Sequence, residues 1–247
     1  MLGFLLLSLH LGLAQSSSPS TVTPPTRADF VRRAKRIFEE SQTRYQRDTN
    51  NVEAAWQFAR ACFDLAGFAT RNSERADIAE QGIAASRQAL ARESNSATAR
   101  YYLGMNLAQL AQTKLLGALK IVKQMEQEFN LVRTLDAKLD QAGADRNLGL
   151  LYRDAPAIGS IGSRAKARQH LQSAVTLAPE SPENRLNLIE TYLKWDERPA
   201  AQRELKALEN VWPRARTSLT GEEWASSWAD WEPRLKKVKA KLAEPKS

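Results

Sequence analysis

One pattern recurs four times along this chain, and it decides most of what the chain can become. The stretch ENRLNLIETYLKWDERPAAQRELKALENVWP reads as two helices joined by a turn. Leu188 and Tyr192 mark the apolar stripe of its first helix, Ala201, Leu205 and Leu208 that of its second, and Pro213 stands at its close. The unit before it carries Leu148, Gly149 and Tyr152, then Ala167, Leu171, Ala174 and Pro179, in the same order. Leu103, Gly104 and Leu107 mark an earlier unit, whose second helix is expected to run through Leu131 and Leu135. Trp56, Ala59 and Phe63, followed by Gly82, Ser86 and Ala89, mark the first. Counted from Glu53, Ala97, Ala142 and Pro182, the spacings are 44, 45 and 40 residues. Such self-similarity is the signature of stacked helical hairpins, each too small to bury its apolar face alone.

An all-α chain is therefore expected, and composition agrees. Ala, Leu, Arg, Glu, Gln and Lys dominate, and Val/Ile runs are almost absent, which favours helices over any extended sheet. At 43% hydrophobic and 26% charged, the chain has the balance of a soluble globular protein. Both ends of the stack need covers. A helix is expected from about Ala28, with Thr26 as N-cap, Asp29 in a capping box, and Phe30, Ile37, Phe38 and Tyr45 as its stripe. At the other end Trp224, Trp228, Trp231, Leu235, Val238 and Leu242 recur every three or four residues along a capping helix over 220–243. Thr220 and Glu223 would form its capping box, and Pro233 would fall early in it. The expected units are 53–96, 97–141, 142–181 and 182–215, in a single domain over 28–247.

The opening MLGFLLLSLHLGLAQ has the length and apolarity of a secretory signal, with small residues at Gly12 and Ala14 for cleavage. Residues 1–14 are read as that signal and 15–27 as a flexible Ser/Pro tether, so the chain is expected to be exported, to the periplasm. Cys62 is the single cysteine, lies among apolar residues, and leaves none near the cleavage point for a lipid. The formal excess of +8 is concentrated in the last turns, from Arg234 through Lys236, Lys237, Lys239 and Lys241. A solvated helix end accounts for that run, and nucleic acid is not an expected partner.

On the segments YYLGMNLAQLAQ, AGADRNLGLLYRDAP, SIGSRAKARQHLQSAVTLAPESPENRLNLIETYL and GEEWASSWADWEPRL, the chain resembles the tetratricopeptide-repeat (TPR) superfamily, over about residues 50–213. More closely it is similar to the T-component family of tripartite ATP-independent periplasmic (TRAP) transporters. The repeat arrangement is also similar to regulators of microtubule dynamics, a reading that the apparent signal disfavours. The resemblance implies a helical scaffold without cofactor, whose first helices line a concave groove. Its groove positions fall here on Gln57, Asp64, Tyr101, Met105, Gln109, Arg146, Arg153, Glu190 and Lys194. Arg146 and Arg153 would hold a carboxylate between them or pair with neighbouring helices. The implied partner is a protein or peptide, such as a transporter subunit, or an acidic ligand. Homo-oligomers or envelope association through the tryptophan helix and basic tail form the alternative.

Catalytic chemistry is not expected. Beyond the signal the only histidine is His170, read as a partly exposed structural residue, and with Cys62 it makes no zinc set. The Gly/Ser-rich DAPAIGSIGSR matches neither dinucleotide nor P-loop spacing. It reads as an insertion between two helices, with Pro156 ending the first and Ser163 capping the second.

Overall fold

The computed structural model describes residues 25–114 and 117–244, so the expected signal, His10 and most of the tether lie outside the described residues. Within them every regular element is a helix: α1 (Arg27–Arg47), α2 (Val52–Ala66), α3 (Asn72–Arg92), α4 (Ala97–Ala111), α5 (Ala118–Leu135), α6 (Leu139–Asp154), α7 (Arg164–Leu177), α8 (Pro182–Lys194), α9 (Arg198–Ser218) and α10 (Glu222–Ala243).

Side chains set where these helices start. Thr26 and Asp29 close a reciprocal capping box on α1. Asn51, Ser96, Ser163 and Ser181 each accept from a backbone N–H in the first turn of α2, α4, α7 and α8. The last helix departs from expectation. Its N-cap is Gly221, at φ 87°, with no side-chain cap, so Thr220 does not form the box. Glu222 and Glu223 instead sit in the first turn, where carboxylates complement the helix dipole. Pro213 does not close α9, which runs on to Ser218, and Pro233 is likewise absorbed within α10.

Each of α2, α4, α6 and α8 packs antiparallel-hairpin fashion on the helix that follows it, and each second helix packs on the next first helix. The even helices also run close to one another in sequence, from α2 to α10. The outer helices reach each other through long side chains, as Lys166 does to Glu126 at 3.8 Å. Closer spacing inside than outside is what curves a solenoid, and it puts α2, α4, α6, α8 and α10 on the concave wall. Two glycines permit the tight hairpins. A Cβ on Gly104 would strike the Phe129 ring, and one on Gly149 would strike Leu171.

The stack is closed at both ends by aromatic cover. Phe38 and Tyr45 of α1 lie on Phe58 of α2, at centroid distances of 5.3 and 5.5 Å. On α10, Trp228, Trp231 and Val238 are buried, and Trp224, Leu235 and Leu242 pack beside them. Trp228 meets Trp212 edge-on at 5.2 Å, and its indole N–H donates to the Leu219 carbonyl. The tryptophan stripe thus packs inside the chain. On α5 the apolar register differs from that expected: Met125, Phe129 and Val132 face inward, while Leu131 and Leu135 remain 43% and 40% exposed. The insertion after α6 folds as a closed loop. The Gly162 amide donates to the Pro156 carbonyl and the Ser163 amide to the Tyr152 carbonyl, so these donors serve the turn and no anion.

Finally, the two ends of the stack meet. Arg33 of α1 donates to the Glu222 carbonyl at the start of α10, and its Nε lies 3.7 Å from the Glu222 carboxylate.

Candidate functional site

The concave wall is polar along most of its length, and its charges are largely satisfied from within. At its centre, Asp140, Gln141 and Ala142 at the beginning of α6 have φ of 49°, 55° and 61°, a left-handed turn made without glycine. That turn delivers the Asp140 carboxylate to two groups at 2.5 Å: the Tyr101 hydroxyl and the Arg146 guanidinium, both donating. Arg146 also donates to the Asp140 carbonyl, to Asn184 Oδ1 and to the Tyr101 hydroxyl, and stands 3.6 Å from Glu183. Burial opposes its charge, but Glu183, Tyr101 and Asp140 together hold it firmly protonated. Burial in turn pushes the Tyr101 phenol well above its ordinary range.

The groove positions named from the sequence separate into groups on this wall. Tyr101 and Arg146 are brought into one network, and both are buried. Met105 is half-buried and joins it through Asn147, whose amide donates to the Met105 sulfur and the Tyr101 hydroxyl, each at 3.2 Å. Arg153 grips Asp154 with two hydrogen bonds of 2.9 and 2.6 Å and reaches Thr191; Lys194 donates to the same Asp154 at 2.8 Å. Glu190 accepts two bonds from Arg234 of α10, at 2.9 and 2.8 Å. Gln57 accepts from Arg44 and donates to Glu53, and Gln109 is buried beside Gly67. Asp64 is half exposed, with Arg60 at 3.9 Å.

Both arginines that would clamp a carboxylate therefore already hold one. The sequence does not single out Asp140 or Asn184 as the residues that hold them, and it presents Asp154 only as the start of the loop segment and Arg234 only as part of the basic run. Repeat position identifies side chains that point inward, but it carries no record of which neighbouring repeat supplies the partner.

Two other features bear on chemistry. His170 is buried, not partly exposed: its Nδ1 lies 2.7 Å from Asp145, and its ring stacks on Tyr152 at 5.4 Å. Burial, then the bond to Glu126, pushes the Tyr152 phenol up to about 12. A cleft of about 700 Å³, lined by Leu119, Val122, Met125, Phe129, Leu150 and Leu151 among others, opens between α4, α5 and α6. Among the described residues no group of three or more His, Cys, Asp or Glu side chains is placed to hold a metal, and no helix is long and apolar enough to cross a membrane.

A family model described as Regulator of microtubule dynamics protein 1-3 matches residues 28–129, from α1 into α5. No curated protein matches the chain. Among solved structures, a thermophilic TPR protein of Thermus thermophilus aligns at a TM-score of 0.59 and 16% identity, covering 86% of this chain and 90% of that one. The crystal structure of MamA aligns at a TM-score of 0.52 and 15% identity, over 79% of this chain and 99% of that one. At such identities the likeness is one of fold. The chain has the fold of a TPR-type helical solenoid, and the likeness to these structures carries no further than that fold.

Proposed function

We propose that this chain is a non-enzymatic scaffold that binds an extended protein or peptide segment along the concave wall of α2, α4, α6 and α8. The observation that carries this reading is the wall itself. Its even helices run close in sequence, and its central residues are fixed by the buried Asp140–Arg146–Tyr101 network. A wall whose side chains are locked in this way loses little freedom on binding, which is what affinity for a flexible segment requires. Of the groove positions, the accessible Gln57, Asp64, Met105, Arg153, Glu190 and Lys194 are its proposed contact residues, and the buried Tyr101, Gln109 and Arg146 support them from behind.

Two settings have support. The T-component resemblance and the apolar opening sequence favour an exported scaffold beside a transporter subunit. The family-model match over residues 28–129 favours a role in microtubule dynamics. Either setting uses the groove, so the groove is what the decisive experiment must test. A displayed random dodecapeptide library panned against the protein is expected to enrich peptides that a Met105→Trp variant, with unchanged helical circular dichroism, no longer retains. Enrichment that the variant retains in full, or no enrichment at all, overturns the reading.

A further inference from the structure

The cleft of about 700 Å³ opens between the neighbouring concave helices α4 and α6, with α5 behind them. Ala108 and Ala111 of α4 face Leu150 and Leu151 of α6, and Leu119, Val122, Met125 and Phe129 of α5 complete an apolar interior. Asn147 also lines it, and the amide of Asn147 donates to Met105 and Tyr101, so the recess is continuous with the groove positions. Large apolar side chains are left in water around its mouth. Leu119 is 38% exposed, and Ile158, 95% exposed, sits in the loop whose Pro156 and Ser160 edge the cleft. A concave, apolar and open recess of this volume is the form of a site that takes the apolar part of a ligand.

Charge around the cleft decides which ligand. On its α4 side, Gln112 lines the cleft and accepts from Arg75 of α3 at 3.0 Å. The other bond of Arg75 goes to the Ala69 carbonyl, so both of these partners are neutral and leave its charge in place. On the α6 side, Asp154 lines the cleft and is shared by Arg153 and Lys194. Three cations therefore stand around one carboxylate, with a cation on each side of the apolar interior. An occupant that complements this pattern is apolar in the middle and acidic on both sides, as a peptide running along the groove can be. A fatty acyl chain, with a single anionic end, matches only half of it.

We infer that this cleft takes a bulky apolar side chain of the bound segment, a phenylalanine or leucine, flanked by acidic residues that face Arg75 on one side and Arg153 and Lys194 on the other. The inference rests on the groove reading above and names the chemistry of its partner. The net +8 of the chain draws any acidic peptide by general attraction, so the apolar residue is what marks the cleft.

Fluorescence anisotropy with the full chain tests this, using labelled Gly/Ser peptides with Glu-Gly-Phe-Gly-Glu, Glu-Gly-Ala-Gly-Glu or Lys-Gly-Phe-Gly-Lys at the centre. Alternate residues of an extended chain share one face, so each triplet of side chains can meet the cleft together. The Glu/Phe peptide is expected to bind about tenfold more tightly than the Glu/Ala peptide, which carries the same charge, and more tightly than the Lys/Phe peptide. Leu119→Glu and Val122→Trp, which charge and fill the cleft, should each abolish the preference for Phe with helical circular dichroism unchanged. Lys194→Gln should weaken the Glu/Phe peptide about threefold, and Lys194→Arg should not. A Glu/Ala or Lys/Phe peptide that binds as well as the Glu/Phe peptide, or a preference for Phe that survives both cleft variants, overturns the inference. So does laurate held in a Leu119-dependent manner by a protein that ignores the Glu/Phe peptide, which would assign the cleft to an acyl chain. Library panning separates failure here from failure of the groove: groove-dependent peptides without an apolar residue between acids sink the cleft alone, whereas no groove-dependent peptide sinks both.

Discussion

At Asp64 the fold holds a carboxyl whose charge works against stability. A carboxyl raised from about 3.9 to about 6 binds more protons folded than unfolded between those values. Stability therefore falls as pH rises through that window, and the charged form is a cost at neutral pH. Asp64→Asn is accordingly expected to raise Tm at pH 7.5, by no more than about 2–4 °C given the residue's exposure. The gain should fade towards pH 4, which melts at the two pH values will show. Glu197 behaves in the opposite sense. Hydrogen bonds from Arg168 first, and from Arg164, hold its carboxyl down to about 2. Its contribution is complete above the ordinary carboxylate range, about 4.3, and is lost as pH falls towards about 2. Glu197→Gln should cost up to about 1 kcal/mol at pH 7, and the difference between the two proteins in chemical denaturation should narrow below pH 4.

Among the elements, α6 starts with a left-handed turn that its own sequence does not explain. Three successive left-handed residues without glycine cost about 1–2 kcal/mol each, and the turn persists because its groups are held from elsewhere. Asn184 donates to the Gln141 carbonyl at 2.8 Å, and Arg146 and Tyr101 fasten Asp140. Gln141→Gly keeps that carbonyl and relieves the strain, so it should stabilise by up to about 1 kcal/mol in urea denaturation. The same turn marks where sequence reading stops. The solenoid was legible because hairpin periodicity and end-capping stripes such as Trp224 to Leu242 are local patterns. The hairpin close at Gly149 was legible too, in the Leu-Gly-x-x-Tyr spacing. The bond between Tyr101 and Arg146 was not, because it depends on a left-handed approach that nothing in LDQAGAD announces. The register of α5 failed for a related reason. Leucines at 131 and 135 fit a helical period as well as Met125, Phe129 and Val132 do, and only the hairpin partner decides between them.

At the scale of the whole molecule, a stack of hairpins whose neighbours alone touch behaves as a spring, and its stiffness is the sum of small interfaces. Here the first and last coils are tied by Arg33 and Glu222. That tie is exposed on the Glu222 side, and a pair of this kind is screened once the Debye length drops to about 3 Å near 1 M salt. Arg33→Ala, or high salt on the native chain, is therefore expected to increase the radius of gyration in small-angle X-ray scattering without loss of helicity. An unchanged radius would mean that the hairpin interfaces alone set the curvature. If the spring does relax, the tie at Arg33 is a clasp. The groove would then have an ionic-strength-dependent width, and a partner would have to unfasten the ring before it could be gripped, or else enter across its open face.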